Sequence, residues 1–578
     1  MRTRRAILRA LVFAVFAVLV VRLWHIQIIR GREYRRASEE NRIRLVRREA
    51  PRGVIYDRRG RILATSRLCL DIVVNPDPFR RHPRAVAELA RILGEKPASV
   101  AARLARERGP FRTITIATDV PFNIATRAAE AGLHLPGMRL ESRPLRHYPR
   151  GSFAAHVLGY VRDISAAELE RLRDLGYTGR DKIGKDGVER LQETALHGTD
   201  GGEQVEVDAL GNLVQVLGQV PAIGGEPVVL NLDADAQRAA EAGLAGRPGA
   251  AVAVDVRTGA ILALASSPAF DPNLLCGKIT RARWRYLNGP GRPQQDRVTG
   301  ALYEPGSVVK LVTAAAAIES GCVNASSRFF CPGYVQLGRW RFRCWQRGGH
   351  GPLDFISGVA QSCNVMFIRL GREVGRPGLE RWARAFGLGS ATGVDLPDEK
   401  SGLVPNPRWK RRHFGLPWYP GDTCQMSVGQ GGILVTPLQA VVVAAAIANG
   451  GFLVTPRVVR SVAGRIEATP APRPVGIKRA TAELLRQGMA AVVRRGTARR
   501  IWDPNFPIAG KTGTAETPHG EPHGWFVGFA PVKQPQVAVA VLVEQGGSGA
   551  AVAPIGAAIL RAALSRDGGA QPSIAKLP

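Results

Sequence analysis

Apolar and polar positions change texture several times along the chain. Residues Ala10 to Val21 are uninterruptedly apolar, and Ile7, Leu8, Leu23, Trp24, Ile26, Ile28 and Ile29 extend the run past Arg9, Arg22, His25 and Gln27. A helix from Ile7 to Ile29 rises roughly 34 Å, enough for a bilayer core, and arginines near its ends can snorkel to the interface. A secretory signal needs a small-residue cleavage site after its apolar core, but here Arg22-Leu23-Trp24-His25 follows. The pattern therefore predicts an uncleaved, single-pass anchor. Its orientation is not set by charge, because Arg2, Arg4, Arg5 and Arg9 on the short tail face a more basic stretch from Arg30 to Arg48.

From Gly31 to about Gly225 short β-rich pieces such as Leu70 to Val74 mix with amphipathic helical ones such as Ala85 to Leu93 and Ala166 to Leu175. Gly- and Pro-rich sequence around Pro221 to Pro227 marks a boundary. Beyond it, Val228 to Leu232 reads as a strand and Ala234 to Ala245 as a helix. The apolar runs Ala250 to Val256 and Ala260 to Ala265, joined by Arg257-Thr258-Gly259, read as a β-hairpin. A helix-rich middle and renewed strands at Trp525 to Pro531 and Gln536 to Glu544 complete an α+β pattern without a solenoid repeat. The predicted divisions are a tail and anchor (1–30), a mixed region (31–225), a second folded region (226–565) and a polar tail (566–578).

A length of 578 residues suits two or three domains beside the anchor, and 45% hydrophobic with 22% charged residues excludes a disordered or collagenous chain. The formal charge of +32 is compatible with nucleic acid, an anionic membrane, an anionic polymer or an Arg-rich genome. Its spread along the chain, instead of concentration in one arm, reads as solvated surface, and no helix-turn-helix or aromatic-basic repeat points to nucleic acid. Seven cysteines cannot all pair internally.

Chemistry first shows at Tyr303-Glu304-Pro305-Gly306-Ser307-Val308-Val309-Lys310, which ends a turn and opens an apolar helical run through Ile318. Residues three apart share a helix face, so the Ser307 hydroxyl and the Lys310 amine can meet. Serine needs a base to become a nucleophile, and a buried lysine with a lowered pKa is an adequate one. The pair alone is weak: Ser573-Ile574-Ala575-Lys576 repeats it in the polar tail. Two further elements decide between the copies. Ser362-Cys363-Asn364 lies 55 residues after Ser307, and Lys511-Thr512-Gly513-Thr514 lies 149 residues after Ser362. Ser-x-x-Lys, Ser-x-Asn and Lys-Thr-Gly in this order are the signature of penicillin-binding proteins and class A β-lactamases. A phosphate-binding loop ending at Lys511 would need a glycine at position 505, which is Asn505, and Pro507 intrudes.

From Arg22 to about Gly547 the chain resembles a class B penicillin-binding protein of the elongation type, penicillin-binding protein 2. Besides the catalytic triplets, the resemblance rests on Asn41-Arg42, Pro51-Arg52-Gly53-Val54-Ile55-Tyr56-Asp57-Arg58, Arg146-His147-Tyr148-Pro149 and Gly184-Lys185-Asp186-Gly187-Val188-Glu189. Pro417-Trp418-Tyr419-Pro420-Gly421-Asp422-Thr423, Gly429-Gln430-Gly431 and Thr436-Pro437-Leu438-Gln439 extend it. It implies an elongated pedestal over 31–225 of the dimerisation-domain type. It also implies a transpeptidase domain over 226–565, an antiparallel sheet sandwiched by helices as in serine β-lactamases.

The resemblance also implies a peptidoglycan D,D-transpeptidase. Ser307 would attack the penultimate D-Ala carbonyl of a pentapeptide stem with Lys310 as base, and Ser362 would relay a proton to the leaving D-Ala. Asn364 and Lys511 would orient groups, and Thr512, Gly513 and Thr514 would line the substrate carboxylate or a β-lactam. The N–H groups of Ser307 and Thr514 would form the oxyanion hole. Implied partners are stem peptides, β-lactams, the membrane, and a glycosyltransferase of the shape, elongation, division and sporulation (SEDS) class within the elongation machinery. Because peptidoglycan lies outside the inner membrane, the catalytic domain would face outward.

Cys331, Cys344, His350 and Cys363 form Cys-x12-Cys-x5-His-x12-Cys. Three thiolates and an imidazole suit a closed, structural zinc site, with a disulfide or unlinked thiols as the alternatives. Relatives of the elongation type carry zinc in this region with some carboxylate ligands in place of cysteines. Cys69, Cys276, Cys322 and Cys424 read as small core residues. No organic cofactor is expected. Competing functional readings are a D,D-carboxypeptidase or β-lactam-hydrolysing enzyme, which would pass the acyl group to water, and a non-catalytic β-lactam sensor or scaffold that activates a glycosyltransferase.

Overall fold

The computed structural model describes residues 2–30, 43–76, 79, 82, 84–106, 113–135, 137–207, 213–277, 279–517 and 520–565. The Asn41-Arg42 pair, the tail 566–578 and the second Ser-x-x-Lys at Ser573 lie outside the described residues. The chain divides into two compact units, one of Met1–Arg52, Ser66–Leu145 and His197–Gly225, the other of Gly53–Thr65, Arg146–Leu196 and Glu226–Pro578. Two segments of the 31–225 range thus group with the carboxy-terminal part. Local pairing explains this: Gly53 N donates to Leu196 O at 2.8 Å, and Ile55–Tyr56 pairs in parallel with Val228–Leu230.

In the first unit the helix Arg2–Trp24 runs on into a π-helical turn, His25–Ile29. Ala10–Ile29 has a mean hydropathy of 2.2 and none of it is buried, so its apolar surface has no protein partner. At about 1.5 Å per residue its length matches a bilayer core. An antiparallel sheet orders the strands Ile43–Arg48, Gly201–Val207 and Leu213–Val220. A separate apolar core gathers Ile72, Val74, Phe79, Leu89, Val100 and Leu135. Helix Ala85–Leu93 contributes Ala85, Leu89, Ala90 and Ile92 from one face, as its 3.6-residue period requires.

The second unit is built on five strands: β1 Gly249–Asp255, β2 Ile261–Ser267, β3 Ala509–Ala515, β4 His523–Ala530 and β5 Val537–Val543. Their order is β2-β1-β5-β4-β3, antiparallel throughout. Every residue of β5 is buried, which explains why its sequence does not alternate. A sheet covered on both faces has no polar side. The helices are α1 Ala234–Leu244, α2 Lys310–Glu319, α3 Phe355–Ala360, α4 Asn364–Ala385, α5 Pro437–Ala448, α6 Arg479–Arg495 and α7 Gly549–Leu564. α1 and α7 pack together on the sheet, α5 packs on β1, β4 and β5, and α6 lies against β3. All twelve residues of α5 are buried. Its start is the Thr436-Pro437-Leu438-Gln439 block: Thr436 and Gln439 form a capping box around Pro437, and Gln439 Nε2 also donates to Ser390 O and Ser401 O, both at 2.8 Å.

Three other sequence blocks meet in this unit. Arg146 donates from Nε to Glu189 Oε1 at 2.5 Å and from Nη1 to Gly53 O at 2.7 Å, while Tyr148 donates to the same Glu189 oxygen at 3.2 Å. Arg146 is 6% and Glu189 0% exposed, so neither charge is solvated. Removing one partner of such a pair strands the other. Glu189→Gln is expected to cost about 3 to 5 kcal/mol of stability, read as a lowered unfolding midpoint; a midpoint within a degree or so of the parent would refute this account.

Candidate active site

Ser307 is presented by a 3-10 turn, Gly306–Val308, that feeds α2. Gly306 has φ +49, and a Cβ there would lie 2.5 Å from Thr514 O, so the turn can approach β3 only with glycine in place. The second approach is at Gly429, φ +85, where a Cβ would fall 1.9 Å from Gly306 O; Gly306 N donates to Gly429 O at 3.0 Å. This contact accounts for the first glycine of Gly429-Gln430-Gly431. Trp525 of β4, fully buried, donates from Nε1 to Glu304 O at 3.0 Å and fixes the residues just before the turn.

Strand β3 is the sheet edge and carries Lys511, Thr512, Gly513 and Thr514. Lys511 Nζ reaches Ser362 Oγ at 2.8 Å and Thr512 O at 2.7 Å. From the other side Lys310 Nζ reaches Ser362 Oγ at 3.2 Å, Ser362 O at 2.8 Å and Asn364 Oδ1 at 2.6 Å. Ser362 itself has φ +53, an uncommon left-handed backbone for a serine, between α3 and α4. The structure thus brings Lys310, Ser362, Asn364 and Lys511 into direct contact. It differs from the helix-face expectation in one respect: no hydrogen bond joins Ser307 to Lys310. Three acceptors around Ser362 and Asn364 already engage the amine, and the turn at Ser307 is 3-10 rather than α-helical.

Both lysines are completely buried. Burial pulls the Lys310 amine down to about 8, against an opposing pull from the nearby Cys344 and Cys363 sulfurs. Lys511 is pushed well below the usual lysine range by burial and then by the positive charge of Lys310. The arrangement can therefore hold a neutral amine beside a serine hydroxyl near neutral pH. Thr512 is buried, with its hydroxyl 2.5 Å from that of Thr497. The Thr514 side chain is exposed and accepts from Gly549 N at 3.4 Å. A Cβ on Gly513 would lie 2.9 Å from Trp525 Cβ and 3.1 Å from Pro305 O. Thr497 escaped the sequence reading because it belongs to no spaced motif; only the Gly496-Thr497 break after α6 hints at it.

The side-chain ligand atoms of Cys331, Cys344, His350 and Cys363 lie within 4.8 Å of one another, with Cys344 Sγ 3.5 Å from His350 Nδ1. No disulfide forms, as all seven cysteines are free. A hydrogen bond between the two pulls the Cys344 thiol below the usual range and pushes that of Cys363 above it. Cys69, Cys276 and Cys424 are buried as expected, but Cys322 is exposed. It lies past the end of α2, in a turn that Gly321 (φ +73) swings away from the core.

Residues 249–561 match the penicillin binding protein transpeptidase domain, and residues 47–230 the penicillin-binding protein dimerisation domain. The chain is 37% identical over 574 residues to the peptidoglycan D,D-transpeptidase MrdA of Acinetobacter baumannii, covering 94% of this chain and 85% of that one. It is similar to the penicillin-binding protein PBP2 solved in complex with MreC from Helicobacter pylori, with TM-score 0.78, 27% identity and coverage of 89% of this chain and 98% of that one. A chain from a structure on the coordination of polymerization and crosslinking by a peptidoglycan synthase complex gives TM-score 0.75 at 31% identity, covering 98% and 100%.

The lowered Lys310 value has a kinetic consequence. Only the neutral amine accepts a proton, so a rate that depends on it climbs about tenfold per pH unit below the pKa and levels off above it. Acylation of the purified protein by a penicillin is expected to rise with pH and to flatten near 8, the value to which burial brings Lys310. A profile flat from about pH 6 to 9 would show that Lys310 is not the base.

Proposed function

The chain belongs to the family of penicillin-binding proteins, and on that premise we propose that it cross-links peptidoglycan stem peptides during cell elongation through an acyl-enzyme on Ser307. It is a D,D-transpeptidase of α+β architecture, with one amino-terminal apolar helix, a dimerisation domain and a transpeptidase domain. The observation that carries the mechanism is the Ser362 hydroxyl shared by two buried lysines beside the Ser307 turn. In this reading Lys310 takes the Ser307 proton as the oxygen attacks the penultimate D-Ala carbonyl. Ser362, held by Lys511, passes a proton to the departing D-Ala amine. Asn364 fixes the Lys310 amine, and the N–H groups of Ser307 and Thr514 stabilise the oxyanion, a contribution of about 3 to 4 kcal/mol where single donors have been removed in other enzymes. Thr514, exposed at the strand edge, meets the substrate carboxylate, while Thr512 and Gly513 shape the edge behind it. An amine from a neighbouring stem then displaces Ser307. A β-lactam enters by the same acylation and stays.

A fluorescent penicillin is expected to label the full-length protein, and Ser307→Ala to abolish the label. Wild-type protein that takes no label would overturn the mechanism.

The helix Ala10–Ile29 fits a single pass of the inner membrane. The catalytic unit faces outward in this reading, because the polymer it acts on lies there. The solved relatives with MreC and in a peptidoglycan synthase complex support elongation-machinery partners, and for this chain the glycosyltransferase of the SEDS class is the proposed one.

Cys331, Cys344, His350 and Cys363 are proposed to hold one structural zinc ion. Tetrahedral bonds of about 2.3 Å to sulfur and 2.0 Å to nitrogen put those atoms roughly 3.5 Å apart, and Cys344 Sγ lies 3.5 Å from His350 Nδ1. Four protein ligands leave no open position, so the ion would supply cross-linking and no chemistry. Elemental analysis of purified protein is expected to give about one zinc per chain, with chelation lowering the unfolding midpoint; fully active protein that holds no metal would refute the site.

A further inference from the structure

The segment between α2 and α3 is unlike the rest of the surface. Between Ser320 and Leu353 it carries Arg328, Arg339, Arg341, Arg343 and Arg347 and no Asp, Glu or Lys. All five side chains are exposed, and none forms an ion pair among the described residues. Tyr334–Leu337 and Trp340–Arg343 make an antiparallel hairpin whose register sets Tyr334 opposite Arg343 and Gln336 opposite Arg341. Val335 and Phe342 oppose each other on the inner side. Around them Phe330, Tyr334, Trp340 and Trp345 are exposed by 57%, 39%, 64% and 54%.

Two of these four rings, Tyr334 and Trp340, carry a cation. The Arg341 guanidinium lies 4.6 Å from the Tyr334 ring centre and that of Arg339 5.3 Å from Trp340, within the range of cation–π attraction. The segment presents planar guanidiniums, four of them with no carboxylate beside them among the described residues and Arg328 opposite Asp354 in the strand register, and their fork matches carboxylates. It is also fastened to the catalytic loop: Asn364 Nδ2 donates to Arg343 O at 3.2 Å, and Trp345 Nε1 donates to Gln361 O at 2.9 Å.

We propose that this arginine–aromatic hairpin is the docking surface for the acceptor strand, binding an incoming stem peptide through its free carboxylates and delivering its amine to the acyl-enzyme. The inference rests on the transpeptidase reading above. Charge complementarity and continuity with the Ser362–Asn364 loop select the anionic peptide over a lipid surface, which gains nothing from that loop.

The test compares full-length wild type with the exposed-surface variant Arg339→Gln/Arg341→Gln/Arg347→Gln. The acceptors are a synthetic stem peptide with free carboxylates and the same peptide with those carboxylates amidated. The variant is expected to keep penicillin labelling within about twofold. Its KM for the free-carboxylate acceptor should rise at least about tenfold with kcat little changed, as expected when binding equal in ground and transition states is lost. Use of the amidated acceptor should match wild type, and Arg341→Lys, which keeps the charge but loses the planar fork, should lose part of the affinity for the free-carboxylate acceptor. An unchanged KM, or an equal loss with both acceptors, would overturn the proposal. So would loss of binding to phosphatidylglycerol vesicles with acceptor kinetics intact, which would assign the face to the membrane. Failure of wild type to label with penicillin is a different result and removes the underlying mechanism itself.

Discussion

Two lysine side chains cannot both remain charged in a space without water, and the catalytic unit is organised around that constraint. Lys310 and Lys511 both reach Ser362 Oγ, at 3.2 and 2.8 Å, and both are completely buried. Two positive charges no more than about 6 Å apart repel by roughly 3 kcal/mol at an effective dielectric of 20, before any cost of desolvation. One amine is therefore driven toward its neutral form, and a neutral lysine is what a serine nucleophile needs nearby. The hydroxyl between them can accept from one amine while donating to the other, which gives the proton a continuous path.

Burying that pair sets demands on everything around it. The edge strand β3 must run beside the Ser307 turn, and this needs Gly306 and Gly513, since side chains there would strike Thr514 O, Trp525 and Pro305 O. Ser362 must hold a left-handed backbone so that its hydroxyl meets both amines. Such strain persists only where neighbours over-determine it. Here α2, α3 and α4 enclose it, with Lys310 through Ala317 buried on one side and Val365 through Ile368 on the other. The large apolar sheet and its Ala-rich helices are the rigid frame for a few atoms of polar chemistry.

Much of this was legible in the sequence, for reasons that differ by element. The amino-terminal apolar helix and the β1–β2 hairpin announce themselves through long apolar runs bounded by turn residues. The ordered motifs mark Lys310, Ser362, Asn364 and Lys511, which then meet in space. Thr497 could not be read, because its contact with Thr512 spans two elements and leaves no spacing. Nor could the absence of a Ser307–Lys310 hydrogen bond: helical spacing says which residues share a face, and says nothing of competing acceptors on a distant loop. The segments Gly53–Thr65 and Arg146–Leu196 fall within the 47–230 dimerisation-domain match, in line with the 31–225 region, while their local partners, such as Arg146 with Glu189 and Gly53, group them by contact with the other unit. Cys322, read as a core residue, sits on an exposed turn because a glycine before it redirects the chain.

The position of Cys363 follows from the same geometry. Its neighbours Ser362 and Asn364 both direct polar atoms at Lys310, so the residue between them must turn its side chain the other way. The other way is the interior of the arginine-rich segment, where Cys331, Cys344 and His350 converge on it and where its own exposure is 0%. A short apolar side chain there would fill space without holding anything. A sulfur ties the loop that orients Lys310 to the segment that carries the hairpin. The Lys310 amine and the hairpin segment therefore meet at one stretch of chain, Ser362–Asn364.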